Sequence, residues 1–476
     1  MKPAARYCSV LSSVIAALSL GCVDTEQTAG PRLLALEKSA GGTANACVED
    51  KDHDKKGASV VILCAIPFPG TAVASVAKGW TDHEAKAYYV NDQTNKAVDI
   101  IDTRTYAFAG QVPGFVGTVT TYGGGTATTN GQGPNSMVPT HDGILWVSDG
   151  NSTVRVVDVH SQSIIASVST AISACDSHTA TTHYCGRVNE MTYDPDDQIV
   201  FVENPNPLDL AFCTTTGNNC TSTAAVAYPT ATPQKTIAPY ATFISAKPPY
   251  PILGTLSFPN AKGTTEAPVW DQKLHRFLVP VPTCSGTAGA TACAASTGAT
   301  QYIAVIDPGT MTVEKKYQIP DCAHLMPGIT PAGTGMINDL SIDERDQHVL
   351  MPVCGKGNLV FDAQTGDVVN VVTEISSSDE TWFNPGDGNF YVTAVAPGGA
   401  VPGPASARSL GVIDGKSGKW LQNVLDVGGN IGAALAETNR IFTTVAASTG
   451  TSACTPFGFA ASGCVIVFEH EGKTDK

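Results

Sequence analysis

Residues 87–105 read AYYVNDQTNKAVDIIDTRT, and residues 145–163 read LWVSDGNSTVRVVDVHSQS. Each stretch is a β-branched or aromatic run, a polar turn, a second such run and a second turn, the pattern of two adjacent antiparallel strands. Segments of the second type recur along the chain as AVDIIDTRT, TVRVVDVHS, YATFISAKP, YIAVIDPGT, NLVFDAQTG, LGVIDGKSG and CVIVFEHEG. Their turns are marked by Asp102, Asp158, Ser245, Asp307, Asp362, Asp414 and Glu469, mostly 52 to 62 residues apart with one step of 87. Self-similarity at this period, built of short strands, predicts an all-β fold: a seven-bladed β-propeller of four-stranded blades.

Six of the seven units carry an upstream strand of the type AYYVND, LWVSDG, IVFVEN, RFLVPV, HVLMPV or NFYVTA, and the seventh has RIFTTV. These repeats resemble those of YVTN-type seven-bladed propellers over most of the chain from about residue 57. NEMTYDPDDQIVFVENP, EAPVWD and DETWFNPGDGNFY also resemble segments of a group of exported bacterial propellers. The resemblance implies a fold and leaves function open, because such propellers include binding modules, lactonases and dehydrogenase subunits. Resembling chains carry a His at the entry to the last blade, where Gly432 stands here.

The last unit ends at CVIVFEHEG without an outer strand, whereas ASVVILCAIPFPG, residues 58–70, resembles the outer strands SIIASVST and PILGTLSFPN. This N-terminal strand is therefore expected to complete blade seven and close the ring without a free edge. The propeller is assigned to 57–476. Residues 23–56, with DTEQTAG and DKDHDKK, read as a polar tether. Residues 1–22 carry Lys2 and Arg6 before an apolar run too short to span a bilayer, the pattern of an export signal. Their end, ALSLGC, resembles a lipobox with Cys22 as the lipidated residue. The expected location is the periplasm or outer envelope, with any membrane attachment made through that lipid.

Twelve cysteines outside the signal fall into neighbours: Cys47/Cys64, Cys175/Cys185, Cys213/Cys220, Cys284/Cys293, Cys322/Cys354 and Cys454/Cys464. An even count at short spacings in an exported chain predicts six disulfides. The chain contains no C-x-x-C and no C-x-x-C-H. Charged residues are only 15% of the chain, and the formal charge is −15, or −17 without Lys2 and Arg6. That charge would be repelled by a polyphosphate backbone, so nucleic acid is excluded as a partner class.

The functional candidates come from aligning the innermost strands on their turns. NEMTYDP then matches NDLSIDE, DETWFNP, NSMVPTHD and, approximately, EAPVWDQ. Glu190 falls level with Asp339 and Glu380, and with Ser136 in the second unit. One residue earlier come Asn135, Asn189, Asn338 and Asp379, with Glu266 and Asn430 near the same level. Because inner strands start at the central channel, these side chains are expected at the mouth of one acidic funnel. Asn135, Asn189, Asn338, Asp379 and Asn430 would bind a ligand there. Converging carboxylates need a cation, retained protons or abundant water. A divalent cation such as Ca²⁺ held by Glu190, Glu266, Asp339 and Glu380 would resemble the channel metal of gluconolactonase-like propellers, with Glu190 and His183 as catalytic candidates. The competing reading has the same groups bonded to neighbouring blades around a wet funnel. His178 and His324 are further loop candidates, and Trp146, Trp270 and Trp382 read as packing between blades.

Two functions follow: an exported, lipid-anchored binding module for a small molecule or envelope protein, or a metal-dependent hydrolase of lactone or ester type. No P-loop, G-x-S-x-G or H-E-x-x-H motif is present.

Overall fold

A computed structural model describes residues 47–49, 60–123, 126–150, 152–171, 183–184, 187–204, 210–211, 238–259, 261, 266–283, 301–328, 337–397, 409–425, 431–435, 437–450 and 452–470. All lie within the unit Ala40–Lys476. They form seven four-stranded antiparallel sheets arranged in a ring, the expected seven-bladed propeller. The inner strands of blades one to six are Val76–Asp82, Met137–Pro139, Met191–Asp194, Val269–Asp271, Ser341–Asp343 and Ile375–Asn384. The inner strand of blade seven is Ile431–Leu435.

Blade seven is built from both ends of the chain. Ile431–Leu435, Arg440–Val445 and Cys464–His470 pair in order, and Val60–Pro67 adds as the outermost of the four. In blades one to six the third and outer strands share a register shift, for instance between Ile100 and Ile101 and between Val305 and Ile306. The closing strand shows its own shift, between Ile62 and Cys64. Such bulges add twist to the blade edge. Val48–Glu49 pairs outside Val60–Pro67, so strand structure begins within the stretch assigned to the tether. Cys47 and Cys64 are bonded across this edge, and Cys454 to Cys464 and Cys322 to Cys354 are bonded as well. Cys22 and the pairs Cys175/Cys185, Cys213/Cys220 and Cys284/Cys293 lie outside the described residues.

Among the described residues, the buried apolar side chains fall into seven clusters, and each occupies the seam between two neighbouring blades. The seam between blades seven and one packs Ile66, Val465 and Val467 against Tyr88, Val90 and Ile101, so the ring closes by the same burial that joins its other members. The turn motifs are hairpin chemistry, as their composition suggested. Asp194 Oδ1 accepts the Asp196 and Asp197 backbone N–H groups, and Gln198, at φ 57°, ends the turn in the left-handed region. Gln347 and His275 take the same conformation at the corresponding place, where blade six has Gly388. No helix among the described residues is long and apolar enough to cross a membrane.

If the 47–64 bridge secures the closing strand, replacing both cysteines by Ser should lower unfolding free energy by about 2–3 kcal/mol. Chemical denaturation of the oxidised domain measures this, and an unchanged midpoint would assign closure to strand pairing alone.

Candidate functional site

Counting back from the turn residue that ends the inner strand places residues of blades one to six at a common level. Asp82, Asp194, Asp271, Asp343 and Asn384 pair with the first residue of the following strand. Four positions earlier stand Lys78, Glu190, Ala267, Asp339 and Glu380. Ser136 holds the level in blade two. The alignment of Glu190, Asp339 and Glu380 therefore matches the register of the fold, and Lys78 of blade one joins them.

The four charged side chains meet. Lys78 Nζ lies 2.9 Å from Glu190 Oε2, 2.9 Å from Asp339 Oδ2 and 3.0 Å from Glu380 Oε2. It donates hydrogen bonds to Glu190 and Asp339, and Glu380 Oε2 is its third carboxyl neighbour. Lys78 and Glu380 both sit where the inner strand departs from regular pairing, between Val76 and Gly79 and between Ser378 and Thr381. A bulge re-aims the side chain it carries. The Lys78, Glu190 and Asp339 side chains are 5–7% exposed and Glu380 15%, so Glu380 is the group nearest solvent.

Three carboxyl groups face one ammonium, and burial decides their protonation. Burial alone would push the Lys78 ammonium down, but attraction to Asp339, Glu190 and Glu380 outweighs it and holds the pKa well above that of a free lysine. Glu190 is raised because burial outweighs the pull of Lys78. Glu380 is raised further, by burial first and then by repulsion from Asp339. For Asp339, burial is overcome by Lys78, by a hydrogen bond from Glu380 and by the Ala267 backbone N–H at 2.9 Å, and its carboxyl is held low. The shifts favour charged Lys78 and Asp339, and burial raises Glu380 toward the protonated form that can donate to Asp339. Glu190 takes or gives a proton above the ordinary carboxylate range.

One residue toward the mouth lies a second layer. Asn135 Nδ2 donates to Asn189 Oδ1 at 3.0 Å, and Asn189 Nδ2 donates to Glu266 Oε2 at 3.0 Å, linking blades two, three and four around the channel. Asn91 and Ser148 bond the backbone carbonyls of Asn135 and Asn189. Glu266 belongs to this layer and is not among the contacts of Lys78. Asn338 enters blade five with its backbone N–H on Pro352 O. Asp379 lies in the inner strand of blade six, with its side chain outside the described residues, and Asn430 and His178 lie outside them altogether. His183 is in a two-residue strand paired with Leu210–Ala211, outside the blades, and His324 is exposed on a short helix, Cys322–Leu325. No group of three or more His, Cys, Asp or Glu among the described residues has an arrangement suited to a metal ion.

On the opposite side of Lys78 the channel opens into a cavity of about 360 Å³ lined by blades one to six. Its walls include Trp80, Tyr193, Trp270, Trp382 and Phe383 together with aliphatic and proline side chains. Trp80 and Trp382 meet edge to face at 4.7 Å. Trp146 packs between blades two and three, as expected, against Tyr250. Trp270 and Trp382, expected in the same role, also line the cavity.

Lys78 was the residue the sequence alignment missed. VAKGWTD in blade one has the same four-residue offset from its turn aspartate, and a lysine in a ring of carboxylates is found once that strand is aligned. Replacing Lys78 by Met should destabilise the fold by about 3–5 kcal/mol at neutral pH, because buried carboxylates lose their counter-ion. The loss should shrink as pH falls and the carboxylates take up protons. Because the folded Glu380 carboxyl is held above its unfolded range, it withdraws stability as pH rises from that range toward its folded pKa, at most about 1.4 kcal/mol per pH unit. Glu380→Gln should therefore gain on the parent between pH 5 and pH 8 in urea titrations, whereas a constant difference would show that Glu380 ionises normally. No family model matches the chain, and a comparison with curated proteins also gave no match.

Proposed function

We propose that the protein is an exported binding module, anchored by lipid at Cys22, that holds a small molecule in its central channel. The observation that carries this reading is the aromatic-walled cavity of about 360 Å³, closed at one end by the Lys78–carboxylate cluster. A concave, mostly apolar site with a few polar groups at one end is the usual form of a ligand pocket. The repeat pattern, which resembles YVTN-type propellers, is compatible with a binding role. The N-terminal segment and the set of paired cysteines support an extracytoplasmic location.

The metal-dependent hydrolase is the competing reading. Lys78 supplies, at the centre of Glu190, Asp339 and Glu380, the positive charge that a divalent cation would bring, and this favours the binding role. A resident metal would have to share those oxygens with the ammonium. In the binding reading, a ligand for the native state raises the melting temperature of the purified domain in a small-molecule panel. Val269→Trp, which fills the cavity from blade four, should abolish those shifts. Calcium and EDTA should leave the melting temperature of the parent unchanged. Shifts that survive Val269→Trp would place binding elsewhere, and stoichiometric metal lost together with an esterase activity would favour the hydrolase.

A further inference from the structure

The closed end of the cavity offers a guest no free charge. Among the described residues that line the space, Lys78 carries the one charged side chain, and no carboxylate lines it. Lys78 Nζ has three carboxyl oxygens at 2.9, 2.9 and 3.0 Å, as many as an ammonium has N–H groups to give. An anionic guest would have to take a donor away from Glu190, Asp339 or Glu380, and a cationic guest would meet only a like charge. Either ion would give up its hydration without gaining a counter-charge.

Charges around the opposite end are matched as well. Lining residues near Lys78, such as Met191, Ala267 and Leu340, are buried, whereas Tyr193 and Phe383 are half-buried, so the space opens toward the hairpin turns. There His141 lies 6.2 Å from the Tyr193 ring, His275 6.3 Å from the Trp270 ring and Arg345 5.5 Å over the Phe383 ring. Each of these basic side chains has its own carboxylate: Glu84 at 3.8 Å from His141, Asp196 at 2.9 Å from His275 and Asp343 at 3.3 Å from Arg345. Their charges are paired within the protein.

The walls set the shape of the guest. Trp80 of blade one and Trp382 of blade six meet edge to face and form one wall. Trp270 of blade four stands across the axis from them in a ring of seven, so indoles border the space from two sides. A flat ring system between them gains aromatic contacts beyond the area it buries. The aliphatic hydroxyls of the lining are those of Thr192, Ser341 and Thr381, too few to satisfy a sugar. An apolar cavity of about 150 Å³ takes up one benzene, so a space of about 360 Å³ has room for two or three fused rings.

We propose that the central cavity takes a neutral, flat aromatic molecule of two or three fused rings, held between the Trp80–Trp382 pair and Trp270. The proposal rests on the reading of the channel as a ligand site and adds the class of ligand.

Four probes separate charge from shape: 2-naphthylmethanol, 2-naphthoate, 2-naphthylmethylammonium and 1-adamantylmethanol, each titrated calorimetrically into the full mature chain at pH 7. We expect 2-naphthylmethanol to bind at least tenfold more tightly than either ion and than 1-adamantylmethanol, which is neutral but not flat. Val269→Trp, folded as judged by its melting transition, should lose this binding. Trp270→Leu should weaken 2-naphthylmethanol several-fold while leaving 1-adamantylmethanol unchanged. Either ion binding as tightly as 2-naphthylmethanol would overturn the neutral class, and 1-adamantylmethanol doing so would overturn the flat aromatic one. Both results would leave the cavity a ligand site. If none of the four binds, or if binding survives Val269→Trp, the channel reading falls together with the class.

Discussion

A single ammonium group, Lys78 Nζ, stands where blades one, three, five and six converge, and it holds carboxylates that the chain places 112, 261 and about 300 residues away from it. In a propeller each blade buries its faces against two neighbours, and those seams extend radially outward. Nothing in that packing fixes what happens at the axis, where inner strands end in polar side chains facing one another. Removing Lys78 would leave the carboxylates around it buried without compensation, a situation worth several kcal/mol against the folded state. The cluster is balanced by what the protein supplies: one lysine, a Glu380 carboxyl raised toward its protonated form and a backbone N–H on Asp339.

The same economy appears at the ring's closure. The outermost strand of blade seven comes from residues 60–67, so the seam between blades seven and one can form only when both ends of the chain have been brought together. A disulfide at its edge, a polar clasp between Asp387 of blade six and His470 at 2.8 Å, and continuous apolar burial all act on this closing unit. Tyr391 donates a hydrogen bond to the same Asp387, tying the blade-six hairpin into that clasp. Closing the circle removes the free edges that would otherwise pair with a second chain.

Much of this architecture was legible in the sequence because propeller blades repeat both their strand pattern and their turn chemistry. Asp194, Asp343 and Asn384 mark inner-strand ends as clearly in the sequence as in the fold, and counting back from them located Glu190, Asp339 and Glu380 at one level. Charge sign was harder to read than position. VAKGWTD lacks the polar pair Asn-Glu or Asn-Asp that introduces its counterparts, so Lys78 was not aligned, and three carboxylates without their partner read as a cation site. Trp270 and Trp382 pack at the seams as their strand positions suggested, Trp270 between blades three and four and Trp382 against the clusters flanking blade seven, and both line the cavity as well. Glu266 was placed with the carboxylates, although in the fold it joins the asparagine layer one residue nearer the mouth.

The protonation state and shielding of Lys78 decide between this account and any in which the channel is a water-filled acidic funnel. Heteronuclear NMR of the side-chain ¹⁵N-labelled protein reports both directly. A buried, triply engaged ammonium should give a resolved, slowly exchanging NH₃⁺ signal that persists above the pH at which ordinary lysines deprotonate, and that vanishes in Lys78→Met. A Lys78 signal that exchanges as fast as those of surface lysines, or titrates with them, would contradict the central claim.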